Sequence, residues 1–220
     1  MSSQRVDAAR NRKRVLDAAV HEHARHGSAL GMQEVARRAG VGIGTVYRHF
    51  PSRQALIEAI AYPFFERGLL LARSVKQDSP EDERFDTYVR GFARALSVHG
   101  VHGQCTWDAP AAEPVRAELR VLIGEFVESA KRHGTLRQDV AAEDAFALLW
   151  TIAALVEATN ETTPAIWQRH IELVLDGLRG QPPSDLPVPA IDRAQWDIFV
   201  HSTRVTVEHD SEATDRGGGA

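Results

Sequence analysis

The sequence is poor in the features that build secreted, membrane or cofactor-dependent proteins. Cys105 is its one cysteine, so no intramolecular disulfide forms and the fold owes nothing to oxidation. No stretch reaches the run of about 18 apolar residues needed to cross a bilayer. The N-terminal MSSQRVDAARNRKRV lacks the apolar segment of a secretory signal. These absences predict a cytoplasmic protein with no membrane partner. No convincing β-alternation occurs before residue 180, which predicts an all-α fold. The 220 residues, 43% hydrophobic, suffice for one domain of good size or two small ones.

Positive charge is also scarce overall, the net charge being −4, and this alone argues against a nucleic-acid binder. The distribution reverses that reading. Residues 1–53 hold ten Lys/Arg against four Asp/Glu, a net +6, which leaves −10 for the remainder. A basic part set against an acidic one points to a polyanion as partner of the basic part, the alternative being a chance fluctuation.

Along the chain, RKRVLDAAVHEHARH puts Val15, Leu16, Ala19, Val20 and His23 on one helical stripe that stops near Gly27. MQEVARRA forms a short apolar face ended by Gly40, and residues 43–49 make another short helix closed by Phe50-Pro51. Ser52 caps a longer helix beginning RQALIEAIA. Pro63 kinks or divides that helix, and apolar spacing resumes beyond it at Phe64, Phe65, Leu69 and Leu70, which favours a kinked continuation. After the loop QDSPEDER come helices near 84–99, 113–133, 141–158 and 164–179. PPSDLPVP then opens a proline-rich linker and tail, in which the apolar patch Trp196–Val200 docks as a strand or a short helix. The expected organisation is a flexible basic arm at 1–11, a small basic helical domain at 12–60, a larger helical domain at 61–180 and a mostly flexible tail at 181–220.

The stretch GVGIGTVYRHF, residues 40–50, sets three glycines at alternate positions, as a phosphate-cradling loop does. A dinucleotide fingerprint requires a buried strand ahead of its first glycine. Here QEVARRA precedes, a helical pattern with two arginines, and there is no Walker lysine and no ribose-binding acid. The remaining arrangement is helix, tight turn and helix: a helix-turn-helix, whose second helix enters the major groove of DNA. Small residues at its start let backbone approach the duplex, and helix N-termini attract phosphate.

These residues carry a resemblance. EVARRAGVGIGTVYRHFPSRQALIEAI, with the run A-x-x-A-G-V-x-x-G-T-x-Y-x-H-F-x-S-R-x-x-L, resembles the TetR family of transcriptional regulators over roughly residues 12–60. HGTLRQDVAAEDAFALL is similar to the stretch ahead of that family's dimerisation helices. The resemblance implies a three-helix DNA-binding domain joined to a larger helical ligand-binding and dimerisation bundle. It places Thr45 and Tyr47 at positions that touch phosphate or thymine methyls, His49 and Arg53 at backbone contacts, and Ile43, Gly44 and Arg48 at base-facing positions. Gln33 falls where the preceding helix also reaches a base. The chemistry agrees, since Arg48 can pair bidentately with guanine while the hydroxyls, His49 and Arg53 suit backbone oxygens. Val46 and Phe50 read as core. Gly42 stands where the family often has serine, Met32 replaces a common threonine, and His23 a core aromatic.

His99, His102 and Cys105 have residue types that suit zinc, yet glycines interleave them and no fourth ligand is indicated, so no metal is expected. Cys105 with His99 or His102 is the one nucleophile–base candidate, without an oxyanion hole or orienting acid, so neither an enzyme nor a cofactor is expected. The family resemblance implies a small-molecule cavity in the second part, for which Phe92, Leu96, His99, Trp107 and Trp150 are candidate lining. Phe146, Leu149, Trp150 and Ala153 on one helix, and Trp167, Ile171, Val174, Leu175 and Leu178 on the next, form stripes. Those stripes serve either a homodimer through helices near 141–158 and 164–179 or the chain's own core. The expected function is a homodimeric regulator, a repressor, that binds a palindromic DNA operator and is released by a small-molecule effector. The alternative is an effector-independent DNA-binding protein whose second part only dimerises.

Overall fold

The apolar periods of the sequence become α-helices. The computed structural model describes residues 2–26, 30–99, 110–179, 186 and 188–198, and no strand occurs among them. The order is α1 (Ser2–His26), α2 (Met32–Ala39), α3 (Ile43–His49), α4 (Arg53–Asp78), α5 (Arg84–His99), a 3-10 turn at Pro110–Ala112, α6 (Glu113–Arg132), α7 (Ala142–Thr159) and α8 (Ala165–Leu178). A short helix follows over residues 193–198. The chain divides into two compact units, Met1–Phe64 with Cys105–Ala112 and Ile198–Ala220, and Phe65–Gln104 with Glu113–Asp197.

In the first unit, α1 starts at Ser2, so the segment read as an arm is helical. Gln4, Arg5, Ala8, Ala9 and Arg10 in that stretch are strong helix formers. Pairs at helical spacing, Asp7 with Arg10 at 3.6 Å and Lys13 with Asp17 at 2.8 Å, add support. Val15, Ala19, Leu30, Val35, Val46 and Leu56 are fully buried and form one cluster that joins α1, α2, α3 and the start of α4. Each large aliphatic member contributes about 1.5–3 kcal/mol by leaving water. Ser52 Oγ accepts the Ala55 N–H at 3.0 Å, the cap expected for α4. Pro63 lies inside α4, which runs on past it. Ile60, Ala61, Phe64 and Phe65 are buried on both sides of the proline, and that packing outweighs the one backbone hydrogen bond it removes.

The second unit takes the rest of α4 together with α5 to α8. Tyr88 of α5 packs on Phe92 and on Phe126 of α6, with ring centroids 6.1 and 6.0 Å apart. Arg73 with Glu118 and Lys76 with Glu125, both at 2.6 Å, tie α4 to α6. The start of α7 is held by Asp144, whose carboxylate accepts the Ala141 N–H at 2.8 Å. The stripes on α7 and α8 named from the sequence resolve mostly as intramolecular core, with Trp150, Val174 and Leu178 half-buried. Phe146, Leu149, Ala153, Trp167, Ile171 and Leu175 are all buried within one chain. Left outward are Thr151 and Ala158 of α7, and Ile166, His170 and Leu173 of α8, with Leu148, Ala154 and Leu155 half-buried beside them.

The tail patch resolves as a helix. Asp192 Oδ1 accepts the Gln195 N–H at 2.8 Å and Gln195 Oε1 accepts the Asp192 N–H at 2.9 Å, a reciprocal capping box. Trp196 is 5% exposed, its ring 6.2 Å from that of Phe146. Residues 199 and 200 of the patch lie outside the described residues.

Candidate nucleic-acid interface

The turn between α2 and α3 depends on Gly40. Its φ of 61° and ψ of 40° are left-handed, a region where a Cβ is penalised. The Gly40 N–H donates to Arg37 O at 3.2 Å and the Val41 N–H to Ala36 O at 3.1 Å. These two bonds are the Schellman arrangement that ends a helix at glycine. Gly42, at φ −68° and ψ 147°, then opens α3 without a side-chain cap. The Thr45 N–H donates back to Gly42 O at 2.8 Å.

With Val46 turned fully inward, α3 presents its opposite face to solvent. Ile43 is 40% and Tyr47 48% exposed, and Gly44 and Arg48 are exposed with them. A Cβ built on Gly42 or Gly44 would meet nothing within 4 Å, so packing within the chain does not require either glycine. Gln33 is exposed on α2, and Arg53 is exposed at the first residue of α4. Thr45 and His49 are half-buried, and His49 Nε2 is buried without a hydrogen-bond partner. His49 is therefore partly a packed residue, its ring 6.4 Å from that of Phe50.

The basic residues divide into two groups that the sequence does not separate. Arg38 Nε donates to Glu22, a 2% exposed carboxylate of α1, at 2.6 Å, which braces α2 against α1. Arg37 Nε donates to Glu34 at 2.8 Å along α2. Arg14 Nη2 donates to Gly40 O at 3.3 Å, and the Arg12 guanidinium lies 5.0 Å over the Phe50 ring. These two residues of α1 brace both ends of α3, an action no charge count reveals. Arg48 and Arg53 make no ion pair among the described residues, and their guanidiniums are open to an external anion.

In the second unit, Phe92 and Leu96, expected to line a ligand site, are 6% and 4% exposed core residues, and Trp150 is half-buried. His99 ends α5 with its side chain outside the described residues, as are Trp107 and the rest of the His99/His102/Cys105 group. A cleft of about 490 Å³ opens between α5 and α8, lined by Arg90, Arg94, Ser97, Trp167, Ile171 and Glu172 among others, and Phe92, Leu96 and Trp150 are not part of its lining. Across it Arg90 donates to both Glu172 oxygens at 2.8 Å. That bonding holds the Glu172 carboxyl below its ordinary value. No group of three potential metal ligands gathers among the described residues, and no helix there is long and apolar enough to cross a membrane.

Residues 15–60 match the family described as bacterial regulatory proteins, tetR family, and residues 85–180 match the C-terminal domain described as transcriptional regulator SbtR-like. The transcriptional repressor KstR of Rhodococcus jostii is 44% identical over 57 residues, 26% of this chain and 27% of the repressor. The match thus spans about a quarter of that relative's length. A TetR transcription regulatory protein from Mycobacterium vanbaalenii is 34% identical, with 80% of this chain and 99% of that one covered and a TM-score of 0.44. A regulatory protein of the tetR family from Rhodococcus RHA1 superimposes with a TM-score of 0.59 at 16% identity, covering 76% of this chain and 96% of that one, and shares the fold. The chain belongs to the TetR family of DNA-binding transcriptional regulators, a family without enzymatic activity, and carries an SbtR-like C-terminal domain.

Proposed function

We propose that the chain is a repressor that binds an inverted-repeat operator as a homodimer and leaves it when a small molecule binds the second unit. The observation that carries the reading is the outward face of α3: Ile43, Gly44, Tyr47 and Arg48 point to solvent while Val46 is fully buried. Arg48 suits a guanine edge and Ile43 a thymine methyl, while glycine at 44 lets the helix backbone come close to the bases. Tyr47, Thr45, Arg53 and the exposed edge of His49 serve backbone oxygens, which set register rather than sequence. Gln33 adds a donor–acceptor pair from α2. The KstR relatives are repressors, and the one from Rhodococcus jostii matches over 57 residues of this chain.

Dimerisation is proposed through the faces of α7 and α8 that the chain leaves uncovered. Leu173 is 56% and Ile166 48% exposed, one helical stripe on α8 beside Leu148, Thr151 and Leu155 of α7. A two-fold axis through such a stripe pairs it with itself, and half-sites are then read about one helical turn, roughly 34–36 Å, apart. Coupling runs through α4, whose residues belong to the first unit through Phe64 and to the second from Phe65.

The test is operator affinity across salt concentrations for three forms of the chain. Tyr47→Ala should weaken binding to all sequences and leave the salt slope unchanged, because its neutral hydroxyl releases no counterion. Arg48→Ala should relax preference at particular base pairs, each such contact being worth roughly 1–3 kcal/mol of discrimination. If both variants bind with wild-type affinity and preference, α3 is not the reading helix.

A further inference from the structure

Two buried side chains of the second unit, Tyr88 and Arg116, each carry a polar atom without a hydrogen-bond partner. Tyr88 of α5 is 1% exposed, and its Oη bonds to nothing. Arg116 of α6 is 8% exposed; its Nε and Nη2 donate to Glu113 at 3.1 and 2.6 Å, while Nη1 donates to nothing. The Arg116 guanidinium stands 5.4 Å over the Phe65 ring of α4. Tyr88 Oη and Leu119 Cδ2 both lie 3.5 Å from the point where a Cβ on Gly68 would stand. Phe65 to Gly68 on α4 and Arg116 to Leu119 on α6 are equal steps along their helices. The guanidinium and the phenol hydroxyl therefore sit in adjacent layers, roughly 5 Å apart along the helix axes.

The charge at this place does not balance. Glu113 accepts from Arg120 at 2.5 Å as well as from Arg116, so one carboxylate serves two guanidiniums. A buried cation with an unused N–H costs free energy until an anion meets it. Water can accept the two hydrogen bonds but brings no countercharge. The cleft between α5 and α8 differs, because Arg90 is already spent on Glu172 and Arg94 is exposed, where solvent screens it.

We infer that Arg116 Nη1 and Tyr88 Oη form the polar anchor of the effector site, between α4, α5 and α6, and that the effector is an apolar carboxylate. Its acid accepts from both donors, and its apolar body lies along Phe65, Phe92 and Leu119. The inference rests on the reading of the second unit as effector-binding and adds to it the ligand's chemical class.

The experiment is calorimetric titration of the full chain with decanoate, cyclohexylacetate and naphthylacetate, each paired with its primary amide, which keeps the shape and removes the charge. Wild type should favour at least one carboxylate over its amide by about tenfold or more, the scale of a hydrogen bond to a charged group. Arg116→Gln should bring the ratio close to one. Tyr88→Phe deletes only an unpartnered hydroxyl, so it should fold with undiminished thermal stability and still lose several-fold of the carboxylate preference. Arg94→Gln should change nothing. A wild type that binds no member of the panel, equal affinity for acids and amides, or a preference lost in Arg94→Gln and kept in Arg116→Gln each overturns the anchor. Operator binding measured in parallel separates the two readings. A chain that selects operator DNA but shows no acid preference loses the anchor alone. Compounds that bind by the anchor and never shift operator affinity remove the ligand response instead.

Discussion

The three glycines at 40, 42 and 44 should separate when each is replaced by alanine, because the structure gives them different work. At Gly40 an alanine enters a left-handed conformation, which costs about 1–2 kcal/mol for an L-residue. Its Cβ would also stand 2.7 Å from Arg14 Nη2, and that flexible guanidinium must withdraw from its 3.3 Å bond to the Gly40 carbonyl. An exposed bond of that length adds only about 0.5 kcal/mol. Gly40→Ala is therefore expected to lose roughly 1.5–2.5 kcal/mol, or several degrees of melting temperature at roughly 2–4 °C per kcal/mol. Gly42 has an ordinary φ of −68° and, like Gly44, open space around its Cβ. Gly42→Ala should be close to neutral. Gly44→Ala should stabilise by up to about 1 kcal/mol, since alanine is the better residue inside a helix. Operator affinity should run the other way for Gly44→Ala, which gains stability and loses DNA binding because its methyl fills the space the duplex occupies. Thermal melts paired with anisotropy titrations on operator DNA read both quantities. Equal destabilisation by all three variants would show that the glycines serve packing, and a Gly44→Ala variant with intact affinity would remove the α3 face from the DNA.

Leu173→Glu should yield monomers by sedimentation velocity at micromolar concentration and weaken operator binding, with helical content kept; a variant that stays dimeric moves the interface elsewhere. Trp196→Ala should leave a cavity against Phe146 and lower stability by about 2–4 kcal/mol, less if the tail helix simply releases, as thermal melts will report. The Glu172 carboxyl sits below its ordinary value of 4.5 because Arg90 donates to it. A depressed carboxyl contributes stability that is complete above the unfolded value and fades as pH falls through the folded one. Wild type should therefore exceed Arg90→Gln in melting temperature near neutral pH by a small margin, under about 1 kcal/mol for so exposed a pair. That margin should begin to fade as pH drops below about 4.5 and vanish below the folded value, and a margin that grows on acidification contradicts the assignment.

Much of the helical layout was legible because its signals are local. The Ser52 cap, the Gly40 stop and the bounds of α5 depend on a few neighbouring residues, and they are found where the sequence places them. The same holds for the outward face of α3, since Tyr47 and Arg48 turn away from buried Val46 at about 100° per residue. What eluded the sequence was partnership over distance. Arg12, Arg14 and Arg38 read as a basic surface, yet they brace the helix-turn-helix through Phe50, the Gly40 carbonyl and Glu22. The stripes on α7 and α8 are equally apolar on periodicity whether they face their own chain or a second one, and only packing shows most of their residues buried. The capping box at Asp192 and Gln195 was a missed local signal, hidden in a tail read for its prolines. Arg116 carries no motif, because its unusual feature is a partner it lacks once the helices have assembled.

The central claim is that α3 reads one half of a symmetric operator while a second chain reads the other half. Selection of bound duplexes from random DNA by the full-length protein, repeated with Arg48→Ala, tests it most directly. The account predicts an enriched inverted repeat whose half-site centres lie about one helical turn apart, with Arg48→Ala losing preference at the same base pair in both halves. Enrichment of no motif, or of a single asymmetric site untouched by Arg48→Ala, would contradict it.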